Sequence, residues 1–401
     1  MRPFVSAGGR EDVAEHFRNS VAIAVDCSVF AYSHGGLASF FRPFLLRMLR
    51  TYPQYLFHLV AQENTNMNDW KQFSNARISF YCDTKGLFCG RGRSLRKVWA
   101  LSAKLHQVKA DFLLSPYYAF FISPRYRHRS IITVHDTCFW DVPQFFSSKD
   151  RWLHKAFMIW NARLASCILT VSETSKKRLL CNISCLAENS ILVVYNAWEG
   201  KGALSSLKQV HCSRLQSFLK NAPEKLLLSS GGFSGTKNVY TVLKALRLAV
   251  DRRGDIGLVL TGNARYAGEL WQMIDWLDLG AHVFPIGVVS DAEMWWLVRE
   301  RCTAAVCMSE YEGFGRSLVE AMHAGLPLLC SDMPTNREIA GNYPEIYCAL
   351  HDTDCLSRAM INVADSSRRM PVYDERFSLE RNWKFFANCF DAALQNVLDW
   401  R

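Results

Sequence analysis

The sequence predicts an α/β protein built from two Rossmann-like domains, each with a parallel sheet. Three observations carry this reading. Short apolar, often β-branched runs (Val21–Val25, Ile131–Val134, Leu226–Ser229, Ile256–Thr261) alternate with segments of helical period along nearly the whole chain. Glycine turns stand where strand gives way to helix, at Ser33-His34-Gly35-Gly36 and again at Gly231-Gly232-Phe233-Ser234-Gly235. The chain has 401 residues, enough for two or three domains of ordinary size.

The totals narrow the class. Hydrophobic residues make up 49% of the chain, with a mean hydropathy of −0.04, so sizeable cores are available. No apolar run approaches the roughly 18 residues a membrane span needs. Residues 1–19 are polar and of mixed charge, without the apolar centre of a signal peptide, and read as an N-terminal extension. The 14 cysteines are scattered and form no C-x-x-C; the tightest spacing is Cys181-x-x-x-Cys185, with no histidine pair to complete a zinc site. Free thiols in a reducing cytoplasm are the expectation.

The net charge of +10 is uneven. The first 200 residues carry 25 Lys/Arg against 14 Asp/Glu, the remainder 22 against 23. The densest basic stretch, Thr84–Ala110, holds Lys85, Arg91, Arg93, Arg96, Lys97, Lys104 and Lys109 and no acid. A second, Arg125–Arg129, follows the aromatic run Tyr117–Phe121. Such a surface suits anionic lipid headgroups, a diphosphate-bearing acceptor or nucleic acid, or is simply a solvated face.

The first domain is expected over residues 20–200. Strand Val21–Val25, the Gly35-Gly36 turn and a helix within Leu37–Leu49 open it. The full G-x-G-x-x-G is absent, which argues against a dinucleotide cofactor. Strands follow at Leu56–Val60, Ile78–Tyr81 and Phe112–Leu114, with a basic helix over Leu95–Gln107. Ile131–Val134 runs into His135-Asp136, and open α/β sheets place their chemistry at such carboxyl ends; a lone histidine there is more often a structural one. Trp152–Leu164 is a helix, Cys167–Val171 a strand ending in the cap Ser172-Glu173-Thr174-Ser175, and Ile191–Tyr195 a last strand.

The second domain is expected over 201–375. Leu226–Ser229 leads through the glycine turn to Lys237 and a helix over Val239–Val250. A cation at the start of a helix opposes its dipole, so Lys237 needs an anion nearby. Ile256–Thr261, Val283–Ile286 and Ala304–Met308 are further strands, and Ser290 caps a helix over Ala292–Arg299. Asp352-Thr-Asp354 has the form of a metal-binding D-x-D but reads better as a helix cap. Residues 376–401 close the chain with a long amphipathic helix.

The most informative stretch is Ser309–Gly341, SEYEGFGRSLVEAMHAGLPLLCSDMPTNREIAG. The turn Glu312-Gly313-Phe314-Gly315 feeds a helix over Arg316–Ala324, stopped by Gly325 and Pro327 and followed by an apolar strand from Leu326 to Cys330. Backbone N–H groups and the positive dipole end at that helix start would receive a phosphate. Taken alone, E-x7-E is also compatible with a plain strand-to-helix turn and a solvated glutamate.

This E-x7-E with GFG inside it resembles the signature of the retaining glycosyltransferases of family 4, which have the GT-B fold. The H-D followed by P-x-x-F at 135–146, the V-x-Y-N ending at Asn196 and the G-x-x-x-x-K-N ending at Asn238 resemble further blocks of that family in its order. The resemblance implies two Rossmann-like domains facing across a cleft, with the C-terminal helix crossing back to the first. It implies that Glu312, Gly313, Phe314 and Gly315 meet the sugar and diphosphate of a nucleotide sugar. Glu320 would hold the ribose, Lys237 would neutralise the diphosphate, and Gly35, Gly36 and Gly232 would lie against the phosphates. His135 would stand beside the sugar, and the backbone at Val288 and Val289 would meet the base. Many members carry an arginine directly before the lysine where this chain has Thr236, so a second cation must come from elsewhere, for example Arg316.

The function so implied is transfer of a hexosyl group with retention, without metal or other cofactor. The blocks look most like bacterial mannosyltransferases of surface polysaccharide, which favours GDP-mannose and a glycan or polyprenyl-diphosphate-linked acceptor in lipopolysaccharide, O-antigen or exopolysaccharide synthesis. The basic first domain suits peripheral contact with the anionic inner leaflet from the cytoplasmic side, and no nucleic acid. The alternatives are a nucleotide-sugar epimerase or phosphorylase of the same fold, or a relative that binds a partner without catalysis.

Overall fold

The apolar runs become strands that are covered on both faces, as parallel strands flanked by helices must be. The computed structural model describes residues 21–31, 36–82, 95–197, 213–232, 235–262 and 267–399. The N-terminal extension, Gly35, and Lys85, Arg91 and Arg93 of the basic stretch lie outside these. The described chain forms two compact units.

The first unit comprises the chain up to Val171, Lys176–Val194 and the residues from Asn382 onward. Its strands are β1 (Ala22–Asp26), β2 (Leu56–Gln62), β3 (Ala76–Tyr81), β4 (Phe112–Ser115), β5 (Ser130–Thr133), β6 (Cys167–Thr170) and β7 (Ile191–Val193). They form one sheet in the order β3-β2-β1-β4-β5-β6-β7, all neighbours parallel. The C-terminal helix Leu379–Leu398 covers this sheet with its apolar stripe. Phe386 meets Phe44 with ring centroids 5.3 Å apart, and Phe390 meets Tyr52 at 5.1 Å and Phe112 at 5.6 Å. Aromatic pairs of this kind add about 1 kcal/mol each beyond the area they bury.

The second unit comprises Tyr195–Arg381 together with Ser172–Ser175. Its strands are β8 (Lys225–Ser230), β9 (Ile256–Thr261), β10 (Val283–Gly287), β11 (Ala304–Cys307), β12 (Leu328–Ser331) and β13 (Ile346–Cys348). The order is β10-β9-β8-β11-β12-β13, again parallel throughout. Helices Val239–Arg252 and Thr353–Ala364 share a core with this sheet through Leu243, Leu246, Leu356 and Met360.

Both sheets start in the middle, step outward twice on one side and then cross to the other. The reversal falls between β1 and β4 in one sheet and between β8 and β11 in the other. Loops leaving the two central strands there diverge to opposite faces and open the crevice in which doubly wound sheets hold their ligands.

Several expectations are corrected. The units divide at Val194/Tyr195 and Arg381/Asn382, and the short segment Ser172–Ser175 belongs to the second unit. The helix expected from Trp152 begins at Ser148, because the Ser147 hydroxyl caps the Asp150 amide at 3.1 Å. The aromatic run Tyr117–Phe121 is no surface platform: Tyr118 and Phe120 are buried in the first unit's core and only Phe121 is exposed. Pro334–Ala340 forms a helix that periodicity alone does not reveal, with proline at its start. Asp352 caps its helix, its carboxylate accepting from the Cys355 amide at 2.8 Å.

Candidate functional site

Strands β8 and β11 lie side by side, although β9, β10 and their helices separate them in sequence. The loop after β8 carries the glycine turn and Lys237; the loop after β11 carries Ser309–Gly315. The strand order therefore brings together two motifs that the sequence keeps far apart.

The glycine turn works differently from an amide cradle. Gly231 and Gly232 have φ of +113° and +89°, and both N–H groups donate to the Thr261 carbonyl at 3.2 and 2.9 Å. The Gly232 amide is thus bonded to β9. Glycine is required for space. A Cβ on Gly231 would stand 2.8 Å from Cε of Lys237, and one on Gly262 would stand 2.2 Å from the Gly232 nitrogen. The turn is bare so that Lys237 lies across it.

Lys237 ends a 3₁₀ turn, Gly235–Lys237, and precedes the helix Val239–Arg252 instead of opening it. Asn238 makes the junction in the left-handed region at φ +52°, its side chain donating to the Leu350 carbonyl at 2.8 Å and accepting from Thr241 at 2.7 Å. The Lys237 ammonium donates to Oε1 of Glu312 at 2.5 Å, and the Ser309 hydroxyl donates to the same oxygen at 2.7 Å. Burial alone would lower the lysine pKa, but the charge and hydrogen bond of Glu312 outweigh it and the net shift is upward. Lys237 is a cation at neutral pH, and Glu312 is the anion its position called for.

The loop around Glu312 is held from several sides. Thr335 donates to the Glu312 carbonyl at 3.0 Å, and the Glu310 amide donates to the Thr236 carbonyl at 2.8 Å. Ser172 and Ser175, both fully buried, donate to the Gly313 carbonyl at 2.6 and 3.0 Å. Phe314 packs edge-on against Phe377 with centroids 5.5 Å apart. Gly315, at φ +88°, then starts helix Arg316–Ala324, which ends in the left-handed Gly325 as the sequence predicts. The first amides of that helix have no intrahelical acceptor and form its positive end.

Arg316 and Glu320 pair along this helix, Nε to Oε1 at 2.9 Å. Burial raises the Glu320 pKa, with Arg316 acting against it. The arginine expected as a second cation for a diphosphate is thus engaged by Glu320. Beneath them the buried Cys307 thiol contacts Ser317 at 3.4 Å and is pushed up to about 11 by burial, so it stays neutral. Val288, half exposed, and Val289 follow β10 at the carboxyl end of the same sheet, after Gly287 at φ +74°.

In the first unit His135 follows β5. Its ring stands edge-on to Phe40 with centroids 5.0 Å apart, and Nε2 lies 3.0 Å from the Pro116 carbonyl. A carbonyl only accepts, so Nε2 carries the proton of the neutral ring. Burial pushes the His135 pKa down to about 4, against the opposing pull of Pro116 and Asp136. Gly36 opens helix Gly36–Thr51 with nothing within 4 Å of the place its Cβ would take, so packing does not demand glycine there. At the switch point of this sheet the buried Asp26 accepts from the Ser28 amide at 2.8 Å and the Ser115 hydroxyl at 2.9 Å.

Sequence reasoning gave no site role to Ser172, Ser175, Ser309, Thr335, Gly262 or Glu338, although Ser172–Ser175 stood out as a helix cap and Glu338 lay in the most informative stretch. A glycine after a strand signals Gly262 weakly; the hydroxyls carry no pattern of their own. Among the described residues no group of three His, Cys, Asp or Glu is placed to hold a metal ion.

Residues 214–371, most of the second unit, match the family model for glycosyl transferases group 1. The chain is 24% identical over 315 residues to the O-antigen chain mannosyltransferase B of Escherichia coli, covering 76% of this chain and 78% of that one. It is 25% identical over 261 residues to the O-antigen chain mannosyltransferase RfbU of Salmonella typhimurium, covering 64% and 68%. Among solved structures, HepE of Anabaena with UDP and glucose superposes with a TM-score of 0.65 over 93% of this chain and all of that one, at 15% identity. WaaG, a glycosyltransferase of lipopolysaccharide biosynthesis, does so with a TM-score of 0.63 over 92% and 95%, at 13% identity. The fold is GT-B, and in sequence the chain is similar to bacterial mannosyltransferases.

Proposed function

We propose that the protein is a GT-B glycosyltransferase of surface-polysaccharide synthesis that moves a hexosyl group from a nucleoside diphosphate sugar to an acceptor hydroxyl. The observation that carries this is the Lys237–Glu312 pair, seated where the loops after β8 and β11 meet, beside the start of helix Arg316–Ala324. When the bond from the anomeric carbon to the diphosphate breaks, negative charge grows on the leaving oxygens and positive charge on the sugar. Lys237 and the helix-start amides stabilise the former; Glu312 orients the latter. Retention follows from a front-face course, in which the acceptor oxygen bonds to the anomeric carbon as the diphosphate departs and the acceptor proton passes to that diphosphate. Glu312, held by Lys237 and Ser309, acts as a binding group and not as a nucleophile. Glu320 binds the ribose. We read the reaction as metal-independent, a reading supported by the charge of Lys237 and the positive end of helix Arg316–Ala324.

GDP-mannose is our reading of the sugar nucleotide, supported by the two relatives named as O-antigen mannosyltransferases. HepE, solved with UDP and glucose, keeps a uridine nucleotide as the competitor to test. For the acceptor we read a glycan carried on a polyprenyl diphosphate at the anionic inner leaflet. The basic first half supports this, as does the exposed Trp99 on helix Leu95–Gln107, since an indole flanked by cations suits a lipid headgroup layer. No helix among the described residues is long and apolar enough to cross a membrane, so the contact would be peripheral.

The deciding experiment is thermal denaturation with GDP-mannose, UDP-glucose, dTDP-glucose and ADP-glucose, each with and without EDTA. A rise in Tm with one of them, unchanged by EDTA, supports a metal-independent site and identifies the base. A folded protein that shifts with none belongs to the partner-binding reading, which Thr236 in place of the usual arginine favours.

A further inference from the structure

We propose that Ser172, Ser175 and Glu338 are positioning residues that aim the Gly313–Phe314 peptide at the transferred sugar. The proposal rests on the transferase reading above and deepens it.

Glu338, on helix Pro334–Ala340, accepts four hydrogen bonds: from the Glu173 amide at 2.8 Å, the Thr174 amide at 2.7 Å, the Thr174 hydroxyl at 2.6 Å and the Tyr195 hydroxyl at 3.2 Å. Its carboxylate caps the start of helix Glu173–Asn182 by accepting from the Glu173 and Thr174 amides. The residues so anchored lie between Ser172 and Ser175, and both of those hydroxyls donate to one acceptor, the carbonyl of Gly313. A carbonyl oxygen has two lone pairs, and here both are taken.

Packing alone does not account for this. Two hydroxyls with no exposed surface cost free energy unless bonded, and alanine would fill nearly the same space without that requirement. What the pair specifies is a direction. No cis peptide occurs among the described residues, so the Phe314 N–H points opposite to the Gly313 carbonyl across one rigid plane. Among the described residues nothing accepts from that N–H. Two bonds on one end of the peptide therefore fix the aim of the hydrogen at the other. It sits between Glu312, which holds Lys237, and Gly315, which opens the diphosphate-facing helix. A sugar hydroxyl is the acceptor it would meet.

The proposal separates the sugar from the nucleotide. Ser172→Ala, Ser175→Ala and Glu338→Gln should each bind GDP within about twofold of wild type. They should weaken GDP-mannose binding about tenfold and raise its KM more than they lower kcat; UDP and UDP-glucose form the parallel pair. Ser172→Thr, which keeps the hydroxyl, should restore most of the loss. Equal losses for nucleotide and sugar nucleotide, or no loss for either, in variants that melt with wild type would overturn the positioning role while leaving the transferase reading intact. Should Ser175→Ala fail to fold, Ser172→Ala and Glu338→Gln carry the same comparison. Wild-type protein that binds neither member of either pair overturns the transferase reading, and this proposal with it.

Discussion

The ammonium of Lys237 and the carboxylate of Glu312 form an ion pair at 2.5 Å with side chains only 22% and 16% exposed. Each thus neutralises the other before any ligand arrives. A diphosphate approaching Lys237 would share it with Glu312, and the sugar would take up the carboxylate's remaining capacity.

Removing one partner leaves the other poorly solvated and without its counter-charge. Lys237→Met and Glu312→Gln should each abolish transfer and each lower stability by about 1–3 kcal/mol, below the range for fully buried pairs because some solvent reaches this one. The double variant should recover stability without recovering activity. Chemical denaturation of the four proteins tests this; a double variant no more stable than the weaker single would show that the pair does not couple.

Gly262 and Gly287 both have positive φ, at +119° and +74°, but only Gly262 lies against another backbone. Gly262→Ala should destabilise by about 2 kcal/mol or more and displace the Gly231-Gly232 turn, weakening sugar-nucleotide binding. Gly287→Ala should cost only about 1 kcal/mol of backbone strain. Comparable losses at the two positions would mean that the close approach to Gly232 is not a constraint.

Burial holds two histidines far below their usual range. His135 and His323 both lie at about 4, Pro116 and Asp136 opposing the shift at the first and Asp374 at the second. An unfolded histidine titrates near 6.5. Between these values the unfolded chain binds protons that the folded chain refuses, so stability rises with pH across the window. The contribution at neutral pH is lost as pH falls from about 6.5 towards 4. Tm should drop over that interval, and His135→Gln and His323→Gln should each flatten the slope. Unchanged slopes in both variants would remove these histidines from the account. Transfer should show no protonation step of His135 near pH 6.5.

Asp352 has the sequence form of a metal ligand and the structure of a helix cap. Asp352→Ala should cost about 1 kcal/mol of stability and leave transfer and its response to EDTA unchanged. A variant that loses transfer, with added divalent metal restoring it, would return D-x-D to the chemistry.

Local features were legible because neighbouring residues determine them. The helix Arg316–Ala324 with its left-handed Gly325 stop, the Ser290 cap, the Asp352 cap and the alternation of buried strands with helices all follow from short-range spacing. The amphipathic period of the last helix was equally clear. The aromatic run at 117–121 misled because composition does not say which face of a loop turns inward, and the core takes Tyr118 and Phe120.

By itself, then, the sequence determined two Rossmann-like halves with parallel sheets and named the residues around Glu312 and Lys237 as candidates. Only the tertiary structure decided that these two form a pair, that the Gly231-Gly232 amides are spent on β9, that Arg316 belongs to Glu320, and that Ser172–Ser175 serve the second unit. The physical reason is the strand order. Placing β8 beside β11 closes a long chain loop that no local propensity encodes, and only in the folded sheet do those polar groups find the partners their burial requires.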